Sequence, residues 1–108
     1  EVAGPDEGDL LVIGWGGTFG AIYAAVKQMQ EKGKSVASTQ LRYLNPFPKN
    51  LDNILSRYKR VLVPELNLGQ LSLLLQARFP VRVVPFNKVQ GQPFQIREIT
   101  HKIVELLG

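Results

Sequence analysis

The chain has 108 residues, 44% of them apolar and 20% charged, which is typical of one soluble domain with a modest core. It contains no cysteine and a single histidine, His101, so disulfides, thiolate metal sites and cysteine nucleophiles are excluded and a histidine triad is disfavoured. No stretch approaches the roughly 20 apolar residues that cross a bilayer, and the first ten residues do not resemble a signal peptide. We therefore expect a cytoplasmic domain that does not contact a membrane.

The net charge of +4 is unevenly distributed along the chain. Four of the nine acidic residues lie within the first nine positions, so residues 10–108 carry 13 basic and 5 acidic side chains. Two interpretations stay open: a solvated surface, or a basic face for an anionic partner such as a phosphorylated cofactor, an acidic protein or nucleic acid. Residues 1–9 lack periodicity and are predicted to be a linker or lead-in, followed by one domain over residues 10–108.

The first predicted strand and helix lie on either side of a glycine-rich turn. Residues 10–13 form a short apolar run, the pattern of a strand that is buried on both faces. Thr18 is a suitable N-cap for a following helix, and Gly33 is a suitable stop. Helical spacing of five apolar side chains predicts the inward face of that helix: Phe19, Ile22, Tyr23, Val26 and Met29.

The middle of the chain predicts a second strand, a short helix and a third strand. Residues 36–41 alternate weakly between apolar and polar side chains, which favours a strand. Pro46 and Pro48 then interrupt regular structure. A short helix capped by Asn50 follows, and residues 61–63 form the next apolar run. The predicted inward side chains of this helix are Leu51, Ile54, Leu55 and Tyr58.

The last third of the chain predicts a buried helix, a strand and an amphipathic helix. The leucine-rich residues 70–78 indicate the buried helix, and residues 81–84 indicate the strand. Pro85 is expected to close that strand and to remove a ladder donor, which places the strand at an edge of the sheet. A polar loop over residues 87–93 precedes a helix from about Gln95 with the inward stripe Ile96, Ile99, Ile103, Val104 and Leu107. Four alternations of strand and helix predict a parallel sheet in a three-layer α/β/α sandwich.

A polar turn after the third predicted strand is the most informative single motif. That strand is followed by Glu65 and Asn67, and the leucine-rich helix comes next. Glu65 is the only acidic residue between Asp52 and Glu98, and the carboxyl ends of parallel strands are where ligands and partners bind. Three roles stay open for Glu65: a general base, a cofactor contact, or a carboxylate held by local amides or by Arg42.

The glycine-rich turn after the first predicted strand matches a dinucleotide fingerprint only in part. The fingerprint needs glycine at its first, third and sixth places, and Phe19 occupies the sixth. It also expects an acidic residue about twenty positions later, where the second predicted strand offers Arg42 instead. A tight turn at Gly14 and Gly16 is the simpler interpretation, with Trp15 as an anchor in a contact.

Four motifs together resemble one known family. They span residues 12–25, which include Gly14, Trp15 and Gly16, and residues 41–48, 63–70 and 87–94. Over about residues 10–107 they resemble the C-terminal domain of the α subunit of 2-oxoacid:ferredoxin oxidoreductases, especially the 2-oxoglutarate enzymes. The resemblance implies a transketolase C-terminal-domain-like fold with a mainly parallel sheet of four or five strands. An antiparallel fifth strand is usual in this fold, but the sequence shows no clear candidate for it. It is expected either at residues 1–3 or outside this chain.

The resemblance also implies a reaction and its cofactors. Enzymes of this family oxidatively decarboxylate a 2-oxoacid with coenzyme A, which gives acyl-CoA (succinyl-CoA from 2-oxoglutarate), CO2 and reduced ferredoxin. Thiamine diphosphate, Mg²⁺ and iron–sulfur clusters are expected in the full complex, and none of them in this domain alone. The implied partners are the N-terminal domain of the same α subunit, the β subunit, ferredoxin, coenzyme A and the 2-oxoacid.

By this resemblance the domain serves subunit assembly and shapes the approach to the cofactor or to coenzyme A, and it is not catalytic by itself. The expected polar contact edge consists of Glu65, Asn67, Asn87 and Gln90. Arg42 and Lys88 are candidates for contact with a phosphate or an acidic partner, and Gly14, Trp15 and Gly16 complete the set. No catalytic residue and no metal ligand is assigned.

Two other classes of function stay open as alternatives. A stand-alone nucleotide-binding module would use Arg42 for the 2′-phosphate of NADP. A nucleic-acid-binding module rests only on the pI of 9.6, because the chain lacks aromatic residues interleaved with basic ones and lacks a nucleic-acid-binding signature.

Overall fold

The structure is a computed structural model that describes residues 2–3, 7–15, 19–41, 51–66, 75–77, 82–88 and 94–107. The strands and helices with defined bounds are β1 Val2–Ala3, β2 Gly8–Trp15, α1 Phe19–Glu31, β3 Val36–Leu41, α2 Leu51–Ser56, β4 Tyr58–Leu66, β5 Val83–Lys88 and α3 Ile96–Leu107. Residues 75–77 are also helical, within the predicted leucine-rich helix. The two predicted N-caps, Thr18 and Asn50, lie outside the described residues. Within those ranges no helix has the length and apolar character needed to cross a membrane.

The strands form one five-stranded sheet in the order β1-β3-β2-β4-β5. Strands β2 to β5 are parallel, whereas β1 pairs antiparallel with β3 through Val2↔Thr39 and Ala3↔Ser38. The predicted α/β sandwich with a mainly parallel sheet is therefore confirmed, and the antiparallel fifth strand lies at residues 2–3. Residues 2–3 and 8–9, which the sequence assigns to the lead-in, are strand residues of this sheet.

Buried clusters lie on both faces of the sheet, and the alternation of side chains along β2 assigns its residues to one or the other. Leu11 and Ile13 belong to the cluster under α2, with Ala37, Leu51, Ile54, Leu55, Tyr58, Val61, Val63 and Leu75. Leu10 and Val12 belong to the cluster under α1 and α3, with Ile22, Ala25, Val26, Met29, Val36, Leu62, Phe94, Ile99 and Ile103. Each buried large aliphatic side chain contributes about 1.5–3 kcal/mol. The prediction of a strand buried on both faces is confirmed for β2.

Helix α1 ends in the turn that the sequence predicts at Gly33. The N–H of Gly33 bonds the carbonyl of Gln30 at 3.0 Å, and the N–H of Lys34 bonds the carbonyl of Met29 at 3.0 Å. This pattern requires a left-handed residue after the helix, and Gly33 has a φ of 81°. The side-chain amide of Gln30 then donates to the carbonyl of Val36 at 3.0 Å, which ties the end of the helix to the start of β3.

Helix α3 runs antiparallel to the strands that it covers. At its start, Glu98 Oε1 accepts the backbone N–H of Gln95 at 2.7 Å, which confirms a helix beginning next to Gln95. At its end, Arg60 Nη1 donates to the carbonyl of Leu106 at 3.1 Å. Because Arg60 lies near the beginning of β4, the end of α3 lies at the amino edge of the sheet. A cation at this place also opposes the partial negative charge of the helix end.

The inward stripes of α1 and α3 are narrower than the sequence predicts. Tyr23, Ile96 and Val104 are 45%, 39% and 42% exposed, so their assignment to the inward face is wrong. Tyr23 and Val104 each follow a fully buried isoleucine, and one residue turns a helix by about 100°, which carries these side chains away from the sheet. Ile96 is the first residue of α3, so no earlier helical turn packs against it.

Strand β4 is longer than the predicted strand of residues 61–63. Tyr58 is buried as predicted, but it begins β4 and does not close the preceding helix. The helix ends earlier because the N–H of Arg57 turns back to the carbonyl of Ile54 at 3.2 Å. At the other end β4 continues to Leu66, so Glu65 lies in a strand and not in a turn.

Strand β5 lies at the predicted edge of the sheet, but Pro85 does not close it. The N–H of Val61 bonds the carbonyl of Arg82 at 2.9 Å. Since peptide groups in a parallel ladder alternate between the two sides of a strand, residues 84, 86 and 88 turn toward β4 and residue 85 turns away. The N–H that proline lacks would therefore point outward, and no ladder bond is lost. Asn87 and Lys88, predicted in a loop, are strand residues for this reason.

We predict opposite effects of alanine at two glycines of α1 and its terminal turn. The positive φ of Gly33 makes Gly33→Ala less stable by about 1–2 kcal/mol. Gly20 is exposed in the helix and a Cβ there would meet nothing within 4 Å, so Gly20→Ala gains about 0.5–1 kcal/mol. Urea unfolding curves of both variants measure these changes. A Gly33→Ala variant as stable as the parent would contradict the left-handed turn.

We also predict opposite effects of alanine at two serines. Ser38 is fully buried in β3, and its hydroxyl has no hydrogen-bond partner in the described part of the chain. Removing an unsatisfied buried hydroxyl raises the free energy of unfolding by about 1 kcal/mol. Ser56→Ala is the matched control, because the exposed Ser56 hydroxyl donates to the carbonyl of Asn53 at 2.8 Å and its loss is mildly destabilising. Thermal or urea unfolding that ranks Ser38→Ala below Ser56→Ala would refute this assignment.

Candidate functional site

The five sequence-predicted site residues that the structure describes lie at the carboxyl ends of the parallel strands. The four parallel strands end at Trp15, Leu41, Leu66 and Lys88, and parallel strands present their carboxyl ends on the same side. Gly14 and Trp15 close β2, Glu65 lies next to the end of β4, and Asn87 and Lys88 close β5. The other four predicted residues, Gly16, Arg42, Asn67 and Gln90, lie outside the described residues.

The register of β4 and β5 brings two of the separate motifs together. Glu65 is the partner of Asn87, and Leu66 is the partner of Lys88. Neighbouring strands lie about 4.8 Å apart, so the backbones of these pairs are direct neighbours although 22 residues separate them in the sequence. The pairing of β4 with β5 therefore places Glu65 and Asn87, two members of the predicted polar contact edge, side by side.

The order of the strands also creates a switch point between β2 and β4. Along the chain, β2 is followed by β3 on one side of it, whereas β4 is followed by β5 on the opposite side. In open α/β sheets, the carboxyl ends of the two strands at a switch point are where ligands bind. Trp15 ends one of them and Leu66 ends the other. The described parts of the glycine motif and of the Glu65 motif therefore end at this switch point.

Strand β2 runs two residues further into the glycine motif than the sequence predicts. Gly14 and Trp15 are strand residues that pair with Gln40 and Leu41, and Gly14 is buried. The prediction of a turn at Gly14 is therefore wrong, because the ladder with β3 continues for two residues beyond the apolar run. In the dinucleotide fingerprint the first glycine forms the tight turn after the strand. The position of Gly14 inside β2 is a further departure from that fingerprint.

An open pocket lies beside β5, and it was not among the sites predicted from the sequence. We call it the Phe86 pocket; it has a volume of about 380 Å³ and is lined by Phe86, Arg97, Glu98 and His101. His101 is exposed on α3. A signal existed in the sequence, because Phe86 has the same parity as Val84 and therefore shares its face of the strand. The assignment of Pro85 as a strand end concealed it.

The residues of this chain do not fit the inorganic cofactors that the resemblance implies. Iron–sulfur clusters are held by cysteine thiolates, and the sequence contains no cysteine. Among the residues that the structure describes, no three histidine or acidic side chains are close enough together to hold a metal ion. No step of cluster or metal chemistry can therefore be assigned to these side chains.

The structure is similar to solved proteins over its whole length. A 2-oxoglutarate:ferredoxin oxidoreductase from Magnetococcus marinus, with 2-oxoglutarate, coenzyme A and succinyl-CoA bound, matches 100% of the chain with a TM-score of 0.93 and 31% identity. The match covers 19% of that enzyme's chain. A split-gene transketolase matches 99% of the chain and 41% of its own, with a TM-score of 0.73 and 18% identity. The second likeness supports the transketolase-like fold alone.

Curated relatives agree with this likeness. The 2-oxoglutarate oxidoreductase subunit KorA of Mycobacterium tuberculosis is 46% identical over 93 residues, which are 86% of this chain and 14% of that subunit. Subunit alpha of the 2-oxoacid:ferredoxin oxidoreductase 1 of Aeropyrum pernix is 29% identical over 96% of this chain and 17% of its own. The chain thus spans less than a fifth of the length of these relatives.

The family comparison covers nearly the whole sheet. The model of pyruvate:ferredoxin oxidoreductase core domain II matches residues 8–99, from the first residue of β2 to the first turn of α3. Since this is most of the chain, the protein belongs to the family of pyruvate:ferredoxin oxidoreductase core domain II.

Proposed function

We propose that this chain is a domain of the α subunit of a 2-oxoglutarate:ferredoxin oxidoreductase. The enzyme converts 2-oxoglutarate and coenzyme A to succinyl-CoA and CO2 and transfers the electrons to ferredoxin. The observation that carries this proposal is the likeness to the Magnetococcus marinus enzyme, which extends over 100% of the chain. That enzyme is a 2-oxoglutarate:ferredoxin oxidoreductase, and its structure holds 2-oxoglutarate, coenzyme A and succinyl-CoA. The 46% identity with a KorA subunit supports the same substrate.

The domain's own role in the proposed enzyme is assembly and shaping of the coenzyme A site. Glu65 and Asn87 are register partners at the carboxyl edge, and Asn67 and Gln90 follow the same strands in sequence. Carboxylate and amide groups on neighbouring strands suit a contact made of charge-assisted hydrogen bonds. Edges of this kind at a switch point are where α/β sheets meet their ligands. We assign the edge to the junction with the N-terminal domain and the β subunit.

We also assign basic and glycine residues of the sequence motifs to the proposed junction. In this proposal Arg42 and Lys88 bind a phosphate of coenzyme A or an acidic partner, and Trp15 and Gly16 contact the neighbouring polypeptide. Gly14 is buried inside β2 and supports them through the ladder with β3. Thiamine diphosphate, Mg²⁺ and the iron–sulfur clusters belong to other parts of the complex, since this chain offers no thiolate. The complete enzyme acts in the cytoplasm, where ferredoxin receives the electrons.

The activity of the complete enzyme tests the proposal. The full-length α subunit combined with its β subunit is expected to reduce ferredoxin when 2-oxoglutarate and coenzyme A are supplied. Residues 1–108 alone are expected to decarboxylate none of the 2-oxoacids, because the cofactor-binding parts are missing. Absorbance of reduced ferredoxin and release of CO2 measure the reaction. An assembled enzyme that is inactive on 2-oxoglutarate but active on another 2-oxoacid would contradict the substrate, and inactivity on all of them would contradict the reaction.

A second prediction concerns Glu65 in the assembled enzyme. Glu65→Gln keeps the size of the side chain but removes the charge, and the loss of one charge-assisted hydrogen bond corresponds to about a tenfold weaker contact. We expect weaker association of the subunits or a higher KM for coenzyme A, with kcat unchanged at saturation, since the residue binds and does not react. Glu31→Gln, an exposed change at the end of α1, is the control. A fall in kcat at unchanged KM and unchanged association would assign Glu65 to the chemistry.

A further inference from the structure

The Phe86 pocket is lined by residues of β5, the last strand in the order of the described sheet, and of α3. Phe86 belongs to β5, whereas Arg97, Glu98 and His101 belong to the first half of α3. Its volume of about 380 Å³ lies within the range of sites that hold a ligand or a large side chain. Phe86 directly precedes Asn87, so the pocket adjoins the carboxyl edge that the proposed function assigns to a junction.

The aromatic floor of the pocket is fixed by its neighbours. The Phe86 ring packs against the Phe94 ring with a centroid distance of 5.2 Å and an interplanar angle of 50°. Lys102 Nζ lies 5.6 Å from the centroid of the Phe86 ring. An apolar group that enters the pocket therefore meets an aromatic ring that already packs against a second ring, and such preorganisation lowers the conformational entropy lost on binding.

Arg97 and Glu98 carry opposite charges at the pocket, and hydrogen-bond donors of Arg97 remain available there. Glu98 Oε1 accepts the backbone N–H of Gln95 at 2.7 Å, and Glu105 pairs with Lys102 at 3.1 Å, so both nearby carboxylates are engaged within α3. Arg97 uses its Nε to donate to Gln95 Oε1 at 2.9 Å. Its terminal nitrogens make no hydrogen bond to a described residue, and they remain able to form a two-bond contact with a carboxylate. The pocket is thus complementary to a group with an apolar part and an adjacent anion.

The edge of β5 indicates how a polypeptide could approach the pocket. Residues 83, 85 and 87 turn their peptide groups away from β4, but Pro85 has no N–H to offer. Addition of a long strand is therefore disfavoured, whereas a short extended segment near Asn87 keeps its backbone contacts. Anchoring would then depend on the side chain that enters the pocket. Under the proposed function, the rest of the α subunit could supply such a segment, since the matched region is only 19% of the Magnetococcus marinus chain.

We infer that the Phe86 pocket receives an extended segment from the remainder of the α subunit, with an apolar side chain on Phe86 and an adjacent aspartate or glutamate on Arg97. The inference rests on the proposed function for the identity of the partner polypeptide. Beyond the proposed function, the inference specifies that the segment carries an apolar and an acidic side chain. It names Arg97 as the residue that recognises the acidic one, because a guanidinium group can form two parallel hydrogen bonds with a carboxylate.

Photo-crosslinking in the full-length, assembled enzyme tests this inference. The photoreactive residue p-benzoylphenylalanine replaces His101, which is exposed, and mass spectrometry identifies the crosslinked peptide. The expected peptide belongs to the same α subunit, outside the present chain, and carries an apolar residue next to an acidic one. Adding Arg97→Glu lowers the crosslink yield about tenfold or more, as expected for the loss of a charged contact. Arg57→Glu, an equal change of charge at the opposite edge of the sheet, leaves the yield unchanged.

Each other outcome overturns the inference. These outcomes are a crosslink to coenzyme A, to a second copy of this chain or to a segment without a carboxylate, the absence of any protein crosslink, and a yield that Arg97→Glu does not change. Arg97→Lys guards against a merely structural effect, because it keeps the charge and is expected to retain part of the yield. Ferredoxin reduction by the parent enzyme is measured separately. An inactive enzyme with the expected crosslink refutes the proposed activity and leaves the pocket assignment intact.

Discussion

Burial of β2 on both faces is the constraint on which the rest of the structure depends. Leu10, Leu11, Val12 and Ile13 alternate between the clusters on the two faces, and all four are inaccessible to solvent. A shift of one residue in the register would exchange the faces of every side chain in the strand. The ladders that β2 forms with β3 and β4 therefore fix where each strand ends, and they align the carboxyl ends at which the candidate site lies.

The same constraint underlies the proposed function, in which another polypeptide completes a site at this end of the sheet. The sheet places Glu65 beside Asn87, and its strand order has a switch point between β2 and β4. No cysteine is present in the sequence, and no metal-binding cluster exists among the described side chains. Such an edge is chemically useful when another polypeptide or a cofactor completes it. The family of the chain is consistent with that arrangement, because its relatives are much longer.

Local patterns in the sequence predicted the elements, whereas tertiary contacts decided their limits. Val36–Leu41 and the stop at Gly33 follow from local signals, and both are confirmed. The prediction of a strand end at Pro85 is wrong, because the cost of proline depends on which side of the ladder its missing N–H would face, and only the register decides that. Ladder pairing likewise carries Gly14 and Glu65 into strands. The Phe86 pocket could not be predicted from the sequence, because it depends on how α3 packs against β5 and the periodicity of apolar residues does not specify that packing.

The central claim is that the carboxyl edge of this sheet joins the domain to the rest of a 2-oxoacid:ferredoxin oxidoreductase. A cryo-electron microscopy structure of the full-length enzyme with coenzyme A tests it directly. The account predicts that Glu65 and Asn87 lie within about 4 Å of another domain, the β subunit or coenzyme A. A structure in which that edge faces solvent, while the opposite edge at Arg57 and Arg82 carries the contacts, would contradict the account.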